Sequence, residues 1–257
     1  MTSNDPEPMV GRGNASNRAE RLTNTVRDLS SPVLRPRDSA TLILVDRSHP
    51  VPKVLLGRRH DSHRFMPGKF VFPGGRVEIK DKVIPTAAPL HPRDIERLML
   101  RVKHPSPGKA AAYALAAIRE TYEETGLMLG VSSDKPIVDP PEAWAPFAKA
   151  GILPDLSALH FIARAITPPG RPRRFDSRFF AADYSAVARR DEGFVGPNSE
   201  LVEVVWIPIN EARQLDIPGV TAIVLEELQD RIAAGMSHVQ PAPFYRMLNK
   251  KFRRELI

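Results

Sequence analysis

Three glutamates crowd a single turn near the middle of the chain. In RETYEETG (Arg119 to Gly126), Glu120, Glu123 and Glu124 stand at i, i+3 and i+4. On a helix these spacings share one face, with Cβ atoms about 5–6 Å apart. Like charges that close destabilise a bare helix, so either water screens them or a cation neutralises them. Carboxylates are the ligands preferred by magnesium and manganese, which keep several waters and share substrate phosphate oxygens. Arg119, four residues before Glu123, is placed to brace it by an ion pair. The plainer reading is a solvated acidic face, which is common for E-x-x-E-E. Against it stands the preceding AAAYALAAI, apolar on several faces, which makes this a packed helix charged only in its last turns.

A second stretch, FVFPGGRVEIKD (Phe70 to Asp81), carries a glycine pair and two acids. A Gly pair between an extended segment and a loop allows close backbone approach to a ligand and can offer a carbonyl to a metal. Alone, PGG reads as an ordinary tight turn. The two stretches make one site only if the fold brings them together.

The elements that must do so read as follows. Residues 1–36 are polar and lack a lasting period, and are expected to be a flexible arm with one helical turn near Arg18 to Leu29. Strands are expected at SATLILVD (Ser39 to Asp46), KVLLGRR (Lys53 to Arg59), HFIARAIT, SRFFAAD and LVEVVWIP. HPRDIERLMLRV spaces Ile95, Leu98, Met99 and Val102 as one amphipathic helix. SPGKAAAYALAAIRETYEETG is the strongest helix signal, opened by Ser-Pro and stopped by Gly126. Further helices are expected at Glu142 to Ala150, INEARQL, TAIVLEELQDRIAAG and the basic tail. Such a mixture predicts an α/β layered single domain over 37–257. No Gly-rich turn follows the first strand, which argues against a dinucleotide-binding Rossmann domain.

Composition narrows the function classes. The chain has no cysteine, which excludes disulfides and thiolate zinc sites. No apolar run reaches the roughly 18–20 residues of a membrane span, and the first twenty residues lack the apolar core of a secretory signal. A cytoplasmic location and no membrane partner are expected. The formal charge of +7 concentrates in RAITPPGRPRRFDSR and in the tail RMLNKKFRRELI. Such clusters attract nucleic acid or a phosphorylated small molecule, but no nucleic-acid motif accompanies them. His60 and His63 have no third ligand beside them and read as loop residues.

GGRVEIKD followed by RETYEETGL resembles the Nudix box, G-x5-E-x7-R-E-U-x-E-E-x-G-U with U aliphatic. Gly75 matches its first glycine, and Arg119, Glu120, Glu123, Glu124, Gly126 and Leu127 match its second half without a gap. Thr121 takes an aliphatic position, and Asp81 stands where the box has glutamate. The seven-residue spacer has grown to the 37 residues of 82–118, an insertion of about thirty residues. VLLGRRHDSHRFMPGKFVFPGG resembles the strand-loop-strand that precedes the box, and RFDSRFF a stretch in the coenzyme A diphosphatases.

The resemblance implies a Nudix α/β/α sandwich with a mixed sheet, an insertion in the box and a helical C-terminal end. It also implies hydrolysis of a nucleoside diphosphate linked to another moiety, X, by water attack on a pyrophosphate phosphorus. X would be of coenzyme A, ADP-ribose or nucleotide-sugar type. Mg²⁺ or Mn²⁺ would be held by Glu120, Glu123, Glu124 and the Gly75 carbonyl, with Arg119 orienting the glutamates and Glu120 positioning or deprotonating the water. Arg119, Glu120 and Glu123 are thus the expected catalytic residues. Glu200 or Glu203 would supply a further acid. Arg58, Arg76, Arg173, Arg174 and Arg178 are candidates for substrate phosphate, with Phe175, Phe179 and Phe180 stacking on a base or filling the core. The insertion, about 82–108, is the expected flap or dimer contact, so a homodimer belongs among the expected partners. Two other readings stay open: an inactive Nudix domain that senses a nucleotide ligand, and a pyrophosphatase for oxidised nucleoside triphosphates.

Overall fold

Apolar residues alternate along the first long strand and go to two different cores. Leu42 and Leu44 pack with Leu115 and Ile118, whereas Ile43 and Val45 pack with Ile223, Val224 and Leu228. A strand that is apolar on both faces needs a helix layer on each side. The computed structural model supplies them, and it describes residues 12–25, 31–62, 66–135 and 137–257.

The chain opens with α1 (Arg12–Asn24), β1 (Arg37–Asp46), β2 (Lys53–Arg59), β3 (Phe70–Val71) and β4 (Gly74–Arg76). A 3₁₀ turn (Ile79–Val83) leads to α2 (Pro92–Met99), α3 (Pro107–Thr125), β5 (Leu127–Leu129) and β6 (Val131–Ser132). Then come α4 (Ala145–Ala150), β7 (Ile152–Leu153), β8 (His160–Ile166), β9 (Phe175–Asp183) and β10 (Val187–Arg190). The chain ends with β11 (Leu201–Pro208), α5 (Gly219–Ala233), β12 (Pro243–Leu248) and β13 (Lys251–Leu256).

The described residues form a nine-stranded mixed sheet with the path β11-β2-β1-β9-β8-β12-β13, where β3 pairs with β2 and β4 with β1. β1 runs parallel to β9 from Arg37↔Phe175 to Val45↔Asp183, and β12 parallel to β8, while the other pairs are antiparallel. Helix α3 covers one face, and α5 with α1 covers the other. This is the expected α/β/α sandwich. No helix among the described residues is long and apolar enough to cross a membrane.

Three expectations need correction. Residues 12–24, expected within a flexible arm, form α1. Its Arg18 is buried and pairs with Glu226, Glu227 and Asp230 of α5. The basic tail is not a helix but the β12–β13 hairpin, which turns at Asn249 and Lys250, both with positive φ. INEARQL yields only the 3₁₀ turn Ala212–Gln214.

The insertion carries α2 and is docked at the β8 side of the sheet. Fully buried Asp94 accepts from Phe161 N at 3.1 Å, and the His238 ring lies 2.8 Å away. Arg97 donates to the His238 and Val239 carbonyls. The insertion is thus held by buried polar bonds.

Candidate active site

The helix that bears the glutamates has both ends fixed. Ser106 caps α3 by accepting from Lys109 N, with Pro107 at the first helical position. Gly126 closes it in the left-handed conformation at φ 72°, and a Cβ there would lie 2.1 Å from the Asp191 carbonyl oxygen. Only glycine meets both conditions. Thr121, at the aliphatic position of the box, is fully buried and returns its hydroxyl to the Ala117 carbonyl at 2.7 Å.

Arg119 organises the last turns. Its guanidinium is 2 % exposed. Nε donates to Asp81 Oδ1 at 2.9 Å, and Nη2 to Asp81 Oδ2 at 3.3 Å and to the Arg76 carbonyl at 2.7 Å. Nη1 donates to Glu120 Oε1 and Glu123 Oε2, each at 2.9 Å. Asp81 is fully buried and also accepts from Glu78 N at 2.8 Å and Trp144 Nε1 at 3.2 Å. The short acid therefore reaches the arginine because the 3₁₀ turn carries it inward. Burial would lower the Arg119 pKa. Hydrogen bonds donated to Asp81 and the charges of Glu120, Asp81 and Glu123 outweigh that and hold it above the ordinary arginine value.

The glycine pair lies directly against this turn. β4 pairs with β1, placing Gly75 opposite Ala40. Gly74 N donates to Glu124 Oε2 at 3.1 Å, and a Cβ on Gly75 would lie 2.2 Å from Glu120 Oε2. The clash would be with the far end of a side chain, so Gly75→Ala is expected to leave the melting temperature nearly unchanged. Displacing the carboxylate should instead lower kcat on the order of 10- to 10²-fold, which steady-state kinetics beside a thermal melt would check.

Electrostatics mark the turn as short of positive charge. Burial, then the Glu123 and Glu200 charges, push the Glu120 carboxyl up to about 7 against the pull of Arg119. Glu123 is raised, chiefly by burial. Glu124, 5 % exposed, is raised well above the usual range by burial and by the charges of Glu200 and Glu120. Among the described residues no three acidic or histidine side chains already converge as metal ligands, because Glu120 and Glu123 turn onto Arg119. The clustered oxygen donors and their unbalanced charge nevertheless fit a hard divalent cation.

A cleft of about 360 Å³ opens over Glu120, walled by Gly74, Gly75, Arg76, Glu78, Arg59, Arg173, Phe175 and Glu200. Of the two outlying acids, Glu200 borders the cleft, 2.8 Å from Arg59 Nη2, whereas Glu203 pairs with Arg58 and is not on its wall. Arg76 and Arg173 are exposed on the wall and available to anions. Arg58 is taken up by Glu203 and Asp61. Arg174 binds the Thr167 and Leu34 carbonyls. Arg178 is a correction: it is 1 % exposed, pairs with Asp38 and Asp176, and stacks 4.0 Å over the Tyr113 ring. Phe180 is core, while Phe175 and Phe179 reach the cleft. No residue of 82–108 lines it. His60 lies beside the loop and bonds Ser62, and His63 falls outside the described residues. Trp144 and Arg59 had no local signal in the sequence, since their roles depend on partners 63 and 141 residues away.

No family profile matches the sequence. The chain is 26 % identical over 241 residues to the acyl-coenzyme A diphosphatase NUDT19 of Gallus gallus, covering 68 % of this chain and 62 % of that protein. It thus spans about three fifths of the length of that curated relative. The solved structure of a Nudix hydrolase from Alicyclobacillus acidocaldarius is 27 % identical and superposes with a TM-score of 0.57, covering 75 % of this chain and 90 % of the other. With both halves of the box gathered around Arg119 on this sandwich, the chain has the Nudix fold and is similar in sequence to Nudix hydrolases, a coenzyme A diphosphatase among them.

Proposed function

We propose that the protein hydrolyses a pyrophosphate bond in a nucleoside diphosphate linked to another moiety, in dependence on Mg²⁺ or Mn²⁺. The observation that carries this reading is the arginine hub. Arg119 holds Asp81, Glu120 and Glu123 together, and Gly74 N bonds Glu124, so the two sides of the insertion meet at one turn. Glu120, Glu123 and Glu124, with the Gly75 carbonyl, would hold the cations. When bound, these supply neutralisation of phosphate charge and activation of water. Arg76 and Arg173 meet the phosphates from the cleft wall. Glu120, on the cleft wall, would position or deprotonate the attacking water. The name of that curated relative favours coenzyme A and its acyl esters as the first substrates to try.

The test is a panel of coenzyme A and its acyl esters, ADP-ribose, NADH, nucleotide sugars, diadenosine polyphosphates and 8-oxo-dGTP, with products separated by chromatography. Cleavage of one compound that needs the metal and fails in Glu123→Gln and Glu124→Gln is the expected result. A folded protein that cleaves none, yet is stabilised by one of them, would make it a nucleotide sensor instead.

A further inference from the structure

The cleft does not end at the acids. A second cavity of about 140 Å³ adjoins it, sharing the walls Met66, Thr167, Ser177, Phe179, Pro218 and Val220. Beyond that boundary it is lined by Leu22 of α1, Ala165 and Ile166 of β8, Gly219 at the start of α5, and Phe252 of β13. Resting on the activity proposed above, we infer that this cavity is the subsite for X and that it takes an aliphatic arm.

Two observations carry the inference. The first is continuity, because the shared walls join the cavity to the cleft that Glu120 lines. The second is the lining, which is chiefly apolar and whose hydroxyls each already make one hydrogen bond. Thr25 Oγ1 donates to the Arg21 carbonyl, Thr167 Oγ1 accepts from Phe175 N, and the Ser177 and Ser39 hydroxyls bond each other at 2.8 Å. A ribose or hexose there would bury hydroxyl groups with few open partners, a costly arrangement. An alkyl chain loses nothing and removes apolar surface from water. Arg171 is the charged residue on the wall. Selection for X therefore belongs to α1, the first turn of α5 and the C-terminal hairpin. The insertion contributes no residue to either cavity.

Gly219 gives a clean test, because it is exposed and an added Cβ would meet Thr25 Oγ1 at 3.7 Å and Leu22 Cδ2 at 3.8 Å, ordinary contacts. Leucine there extends into the cavity and is a better helix former than glycine. The probes are ADP β-alkyl esters with methyl, butyl and octyl arms, alongside ADP-ribose. Affinities are measured by calorimetry in EDTA and turnover with Mg²⁺. The wild type should bind about three- to fourfold tighter per methylene until the cavity is full. Gly219→Leu should flatten that series to within about twofold, with Gly219→Ala between. Turnover without any chain-length dependence, or a dependence that Gly219→Leu leaves intact, overturns the subsite. Chain-dependent binding lost in Gly219→Leu, with no turnover of any ester, would uphold the subsite and refute the hydrolase reading alone. Failure of both removes both.

Discussion

Glu120→Gln is expected to lower kcat on the order of 10²- to 10⁴-fold while raising the stability of the metal-free protein above neutral pH. The two effects share one origin. The carboxyl titrates at an ordinary value of 4.5 when unfolded but near 7 when folded. Between those values the folded state binds more protons, so Glu120 costs stability progressively as pH rises through that window. Glutamine is close in shape to the protonated acid and escapes the cost. Wild type and variant should melt together near pH 4 and separate, with the variant higher, by pH 8. A residue serving only structure would lose stability on this change, so a melt series beside kinetics separates the roles.

Asp81→Ala is expected to be the most destabilising single change in the site. It strands the Arg119 guanidinium, 2 % exposed, without its main partner and takes the acceptor from Trp144 Nε1 and Glu78 N. Breaking a buried pair on one side costs about 3–5 kcal/mol. At about 2–4 °C per kcal/mol for a chain of this size, the melting temperature should fall roughly 6–20 °C. Asp81→Asn keeps the shape and one acceptor, and should fall less while still losing activity. Unchanged melting in Asp81→Ala would mean that the two halves of the box are not coupled through Arg119.

Much of this was legible in local sequence. The apolar run in TLILV reads as a strand, and Ser-Pro with Gly126 bounds α3. E-x-x-E-E after an apolar helix body points to a charged end held against a core. The resemblance to the Nudix box then joins it to the glycine pair across the insertion. What stayed illegible depends on distant partners. Arg178 reads as a phosphate ligand among exposed arginines until Asp38, 140 residues away, claims it. The polar α1 is held by Arg18 pairing with Glu226 across 208 residues, which no local window contains. The tail was misread because Asn249-Lys250 turns without the glycine that normally signals a two-residue hairpin.

The central claim is that stretches on either side of the insertion form one divalent-cation site. Calorimetric titration of Mn²⁺ tests it most directly, at pH 6.5 and pH 8.5, in buffers of differing protonation enthalpy. Because Glu120 is raised to about 7 and Glu124 is raised well above the usual range, binding should expel protons. More protons should leave at pH 6.5 than at pH 8.5, with affinity rising across the interval. Glu120→Gln should weaken binding and remove part of the proton release, and Asp81→Asn should weaken binding without contacting the ion. Binding without proton release, unchanged in both variants, would contradict the account.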